Sequence, residues 1–110
     1  MSFDIQQEGD WHVVRYPDSR LDTATADPFK QYLFEQIEGG ASKMVVDLSA
    51  IRFMDSSGLG TLVAVLKKLT GSGSIKLAGP QPAVRDLFDL TSMDKLFTIE
   101  NTVEEAVKGH

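Results

Sequence analysis

Cysteine is absent from this 110-residue chain. That excludes a disulfide framework, a thiolate metal site and a cysteine nucleophile, and it fits a cytoplasmic setting. Histidine is scarce. His12 falls in an apolar segment and His110 ends the chain. They share no His-x-x-x-His spacing, so no metal ligand set is expected. No apolar run approaches the roughly 20 residues of a membrane span. The N-terminal residues carry no basic region followed by an apolar stretch, so no signal peptide and no membrane partner are expected. Clustered positive charge is lacking as well. The net charge is −5, which argues against a nucleic-acid partner, and Lys67-Lys68 reads as a solvated helix face. Neither a Gly-x-x-x-x-Gly-Lys-Ser/Thr phosphate loop nor a Gly-x-Ser-x-Gly nucleophile elbow occurs. No catalytic residue and no cofactor are assigned.

What is present is an ordinary globular composition, 42% hydrophobic and 25% charged. It suffices for one domain, residues 1–110, with one core. Ile5 opens a weakly alternating segment, and Trp11 to Tyr16 follows across a polar break, which predicts a β-hairpin. Residues 17–22 read as a polar loop. A first helix is expected to start at Asp27-Pro28, with Asp27 as cap and Pro28 at the first helical position. Phe29, Leu33 and Ile37 would form its apolar face, and Gly39-Gly40 would stop it. Residues 43–48 read as a strand buried on both faces. A second helix is expected over residues 57–69, with Leu59, Leu62, Leu66 and Leu69 in one stripe. A strand at residues 75–78, a helix turning Val84, Leu87 and Phe88 inward, a strand at residues 96–99 and a terminal helix opened by Thr102-x-x-Glu105 complete the order. Strands alternating with helices imply an α/β sheet with right-handed crossovers.

The densest chemistry lies at Met54-Asp-Ser-Ser-Gly-Leu-Gly60, where a buried strand hands over to a helix. Ser56 is expected to cap that helix by accepting from the N–H of Gly58 or Leu59. A phosphate there would meet free N–H donors at the positive end of the helix. Composition does not choose between Ser56 and Ser57 as a phosphate acceptor. Gly58 and Gly60 are costly in a first turn. They serve either close helix–sheet packing or open access to the serine backbone, with packing favoured.

The segment Val45-Val-Asp-Leu-Ser-Ala-Ile-Arg-Phe-Met-Asp-Ser-Ser-Gly-Leu-Gly60 resembles the STAS family, and in particular the bacterial anti-sigma-factor antagonists. Leu21-Asp-Thr-Ala-Thr25 and Pro82-Ala-Val-Arg-Asp-Leu-Phe-Asp-Leu90 extend the resemblance over nearly the whole chain. It implies a single STAS domain of α/β class, a small mixed β-sheet of 4–5 strands with helices packed mainly on one face. It also implies partner switching. The unphosphorylated antagonist binds an anti-sigma factor that is itself a serine kinase, and phosphorylation of the first hydroxyl residue of the motif releases it. That residue is Ser56. A metal-dependent serine phosphatase restores the free form. The resemblance places Asp22, Thr23, Asp55, Ser56, Ser57, Gly58 and Leu59 at the partner surface of a protein that is monomeric when free and not an enzyme.

Two departures from the family pattern stand out. Tyr16-Pro-Asp-Ser-Arg20 replaces a glycine-bearing approach to Leu21-Asp22. Ser92-Met93 replaces the Gly-Leu that many members carry after the third helix. Two other readings belong to different classes: a constitutive STAS scaffold in which Ser56 is only a cap, and a small-molecule or nucleotide-binding STAS module.

Overall fold

The computed structural model describes residues 3–108; His110 and the first two residues lie outside them. Strand β1 (Asp4–Glu8) turns back as β2 (Trp11–Arg15), giving the expected antiparallel hairpin. From β2 onward, helix α1 (Ala26–Glu38) leads to β4 (Lys43–Asp47), α2 (Ser56–Leu69) to β6 (Ser74–Ala78), and α3 (Pro82–Leu90) to β7 (Thr98–Glu100). The five strands lie in the order β1-β2-β4-β6-β7, and all pairs after the hairpin are parallel. Successive crossovers of one hand that always advance in one direction must all fall on one face of the sheet. Accordingly Phe29 and Leu33 of α1, Leu62 and Val65 of α2, and Val84 and Phe88 of α3 share one core with Val14, Met44, Val46, Ile75 and Leu77. The last helix, α4 (Val103–Lys108), is no crossover and is free of that rule. It covers the other face through Ala106, over Trp11, Val13, Val45 and Ala78. The mixed sheet with helices mainly on one face is therefore present.

Trp11 is buried on the α4 side. The ammonium groups of Lys76 and Lys43 lie 4.7 and 5.0 Å from its ring. Lys76 is itself buried and donates to the Ala106 carbonyl at 3.0 Å, tying α4 to the sheet.

Three expectations need correction. Residues 17–22 are not all loop: Arg20–Leu21 forms a short strand, β3, which pairs in parallel with β5 (Phe53–Met54). Two residues are too few to carry any periodicity. Helix α1 begins two residues early, with Thr25 at the cap position and no side-chain cap bond. A turn in which the amides of Thr25 and Ala26 both donate to the Asp22 carbonyl sets up that start. Asp27 and Pro28 then fall inside the first turn, where a carboxylate complements the helix dipole and a missing N–H costs nothing. The buried face of α2 is Gly58, Thr61, Leu62, Val65 and Leu69; Leu59 and Leu66 lie at its margin.

Ser92 occupies the left-handed backbone region, φ 61° and ψ 16°. A side chain there costs about 1–2 kcal/mol, part of which glycine returns as unfolded-chain entropy. Ser92→Gly is expected to raise stability by about 0.5–1 kcal/mol in urea unfolding.

Candidate functional site

The β3–β5 pair sits beyond the carboxyl ends of β2 and β4 and brings two distant loops side by side. The Asp55 amide donates to the Leu21 carbonyl at 3.3 Å, so the entrance to α2 is pinned to the segment that enters α1. Ligand and partner sites of open α/β sheets lie at this end of the strands.

Asp55, not Ser56, caps α2. Its Oδ1 accepts from the amides of Ser57 at 2.9 Å and Gly58 at 3.2 Å. A carboxylate does this better than a hydroxyl because the bonds are charge-assisted and it meets the positive end of the helix dipole. Oδ2 of the same carboxylate accepts from the amide and the hydroxyl of Thr23, both at 3.3 Å. The Thr23 hydroxyl also lies 3.1 Å from that of Ser57. Ser57 is half-buried. Ser56, the first helical residue, is exposed, and among the described residues its hydroxyl has no hydrogen-bond partner. The expected seat for a phosphate at the start of α2 is thus partly taken: two of its free donors are already held by Asp55.

Asp22 organises the neighbouring loop. Its Oδ1 accepts from the Ala24 amide at 3.0 Å, and its Oδ2 from Arg20 Nε at 3.2 Å. The hydrogen bond from Arg20 holds the Asp22 carboxyl below the usual carboxylate range, against a smaller opposing effect of desolvation. Arg20 also stacks its guanidinium 4.4 Å from the centre of the Phe53 ring. Arg20 and Phe53 therefore join the site. Side-by-side pairing in a strand of two residues brings them there, and no local sequence pattern marks it.

The two glycines of the motif divide the alternatives between them. A Cβ on Gly58 would stand 2.7 Å from Met54 Cγ and 2.8 Å from the Leu21 carbonyl oxygen, so Gly58 is required by packing. A Cβ on Gly60 would meet nothing within 4 Å. Gly60 instead opens a polar groove of about 380 Å³ between the starts of α1 and α2, lined by Thr23, Lys30, Ser57 and Thr61 among others. Of the expected surface, Asp22, Thr23, Asp55, Ser57 and Gly58 are brought into one bonded or packed cluster. Ser56 projects from its edge and Leu59 is half-buried beside it. Among the described residues no group of three or more His, Cys, Asp or Glu could hold a metal ion, and no helix is long and apolar enough to cross a membrane.

A family model described as the STAS domain matches residues 2–106. The chain belongs to the STAS family. A Thermotoga maritima relative is 31% identical over 98 residues, which cover 87% of each chain. The crystal structure of TM1081 from that organism superposes with a TM-score of 0.90 at 29% identity, covering 96% of this chain and 92% of the other. The anti-sigma-F factor antagonist RsfB of Mycobacterium tuberculosis is 28% identical, with 81% of this chain and 73% of RsfB covered. A solved anti-sigma factor antagonist from Mycobacterium paratuberculosis shares 27% identity and a TM-score of 0.88, covering 97% and 91%. Within the STAS family this chain therefore groups with anti-sigma factor antagonists.

Gly58→Ala is expected to destabilise the domain by about 1–3 kcal/mol through overpacking. Gly60→Ala is expected to be neutral or to stabilise it by up to about 1 kcal/mol. Urea unfolding of the two variants side by side checks both.

Proposed function

We propose that this STAS domain is an anti-sigma factor antagonist of the partner-switching kind, with Ser56 as the phosphate acceptor. The observation that carries the reading is the unequal state of the two serines. Ser56 is exposed with an unengaged hydroxyl, whereas Ser57 is half-buried and bonded to Thr23. A kinase can reach the first without breaking a contact and must dismantle part of the loop to reach the second.

In this account the unmodified protein binds an anti-sigma factor that is also a serine kinase, across the surface formed by the Asp22-Thr23 and Asp55–Leu59 segments. The Ser56 hydroxyl attacks the γ-phosphate of ATP bound to that partner. The phosphoryl group is transferred to the serine oxygen, ADP leaves and the hydroxyl proton is released. The antagonist is the substrate of this chemistry. Asp55, the acid nearest in sequence, has both oxygens committed to hydrogen bonds within the fold. A metal-dependent serine phosphatase returns the hydroxyl.

The physical basis of release is charge. A phosphate adds roughly two negative charges at pH 7, next to the Asp55 carboxylate and on a chain of net charge −5. Because Asp55 already holds the amides of Ser57 and Gly58, those two donors do not neutralise the phosphate and it stays a surface charge. Against a desolvated acidic or apolar patch, about 3–5 kcal/mol of lost binding corresponds to two to four decades of affinity. The scaffold reading assigned Ser56 to capping. Asp55 occupies that position, so Ser56 is not needed as the cap.

Incubation with the anti-sigma factor kinase and ATP, followed by mass spectrometry, is expected to find phosphate on Ser56. Ser56→Ala should keep both partner affinity and thermal stability, because this hydroxyl caps nothing. Ser56→Asp should weaken binding by about tenfold or more. Phosphate confined to other residues, or full affinity in Ser56→Asp, counts against the switch.

A further inference from the structure

Three large apolar side chains stand open among the described residues: Phe53 at 43%, Leu90 at 85% and Leu96 at 52% exposure. Single exposed leucines are common and call for no explanation. Phe53 and Leu90, however, line one groove of about 220 Å³ together with Arg52, Met54, Asp86 and Leu87. Its walls are β5 and α3. The guanidinium of Arg20 stacks on the Phe53 ring and is held in turn by Asp22, so the groove is joined to the loop beside Ser56. Met54 is shared as well, since it lines the groove and closes the space at Gly58.

Scale decides what covers this groove. Phe53 precedes Ser56 by three residues, and three residues of chain span at most about 11 Å. A standard protein interface masks about 800 Å² on each partner, a disc roughly 30 Å across. A partner centred on Ser56 therefore also covers Phe53 and the groove mouth. The chemistry of the rim states what the partner presents. Arg52 is exposed, and among the described residues its side chain has no hydrogen bond or ion pair. The cavity has room for one large aliphatic or aromatic side chain.

We infer that the β5–α3 groove is a second contact for the same anti-sigma factor, taking one apolar side chain flanked by a carboxylate that pairs with Arg52. The inference rests on the proposed function and adds to it an anchor that does not sense phosphate. Ser56 decides whether the complex forms, and the groove contributes to which anti-sigma factor is chosen. Burial of one apolar side chain corresponds to about 10- to 100-fold in affinity.

The test is calorimetric titration of the purified protein with the anti-sigma factor that the unmodified chain binds. Leu90→Ser and Arg52→Glu alter exposed side chains and should leave the melting temperature unchanged. Each is expected to weaken binding about tenfold or more. Each should also weaken binding in a Ser56→Asp background, because the groove contact does not depend on the charge at Ser56. Wild-type affinity in both variants, with Ser56→Asp still weakened, overturns the groove and leaves the switch standing. Failure of the unmodified protein to bind any anti-sigma factor overturns both. Light scattering that shows a dimer of the free protein dissociating on Leu90→Ser would assign the groove to a second copy of the chain and overturn the inference.

Discussion

The Asp55 carboxylate divides its two oxygens between two segments that lie more than thirty residues apart in the chain. One oxygen closes the first turn of α2 through the amides of Ser57 and Gly58. The other holds the amide and hydroxyl of Thr23. The rest of the site follows from this bridge. The parallel pairing of Arg20–Leu21 with Phe53–Met54 runs up to the same bridge, since the Asp55 amide donates to the Leu21 carbonyl. Gly58 must lack a side chain because the bridge draws α2 onto Leu21 and Met54. Ser56 is left exposed because its neighbour has taken the capping position.

That arrangement separates two properties that a capping serine would couple. When a hydroxyl both caps a helix and accepts a phosphate, modification alters the cap and the surface together. Here the cap is the Asp55 carboxylate, and the proposed acceptor, Ser56, carries no structural hydrogen bond. In the proposed switch, fold and signal are borne by adjacent residues. The sheet behind them is held by a core on one face and by Trp11, Lys76 and α4 on the other, so the loops of the site rest on a scaffold braced from both sides.

The hairpin, the parallel strands and the long helices were legible in the sequence, because alternation and helical spacing record burial directly. The buried run at residues 43–48 and the Phe29–Leu33 spacing are examples. What escaped was set by pairing between distant segments. Strand β3 is two residues long and exists because β5 lies beside it. The cap passed from Ser56 to Asp55 because a carboxylate outcompetes a hydroxyl for two amides, a contest that residue preferences at helix ends leave open. Gly58 and Gly60 look alike in sequence and differ only in what faces them. The site motif itself was recognisable at Asp55-Ser56-Ser57-Gly58, and Arg20 was noted only as a departure from pattern. Its hydrogen bond to Asp22 and its stacking on Phe53 make it the link between the serine loop and the α3 groove.

The central claim is that phosphate on Ser56 changes the surface without undoing the Asp55 bridge. Amide hydrogen exchange at Ser57 and Gly58 in the unmodified and the fully phosphorylated protein, read beside calorimetry with the anti-sigma factor, tests this most directly. Unchanged protection of both amides together with an affinity loss of about 100-fold or more is the predicted result. Loss of protection at Ser57 and Gly58, or an undiminished affinity after complete phosphorylation, would contradict it.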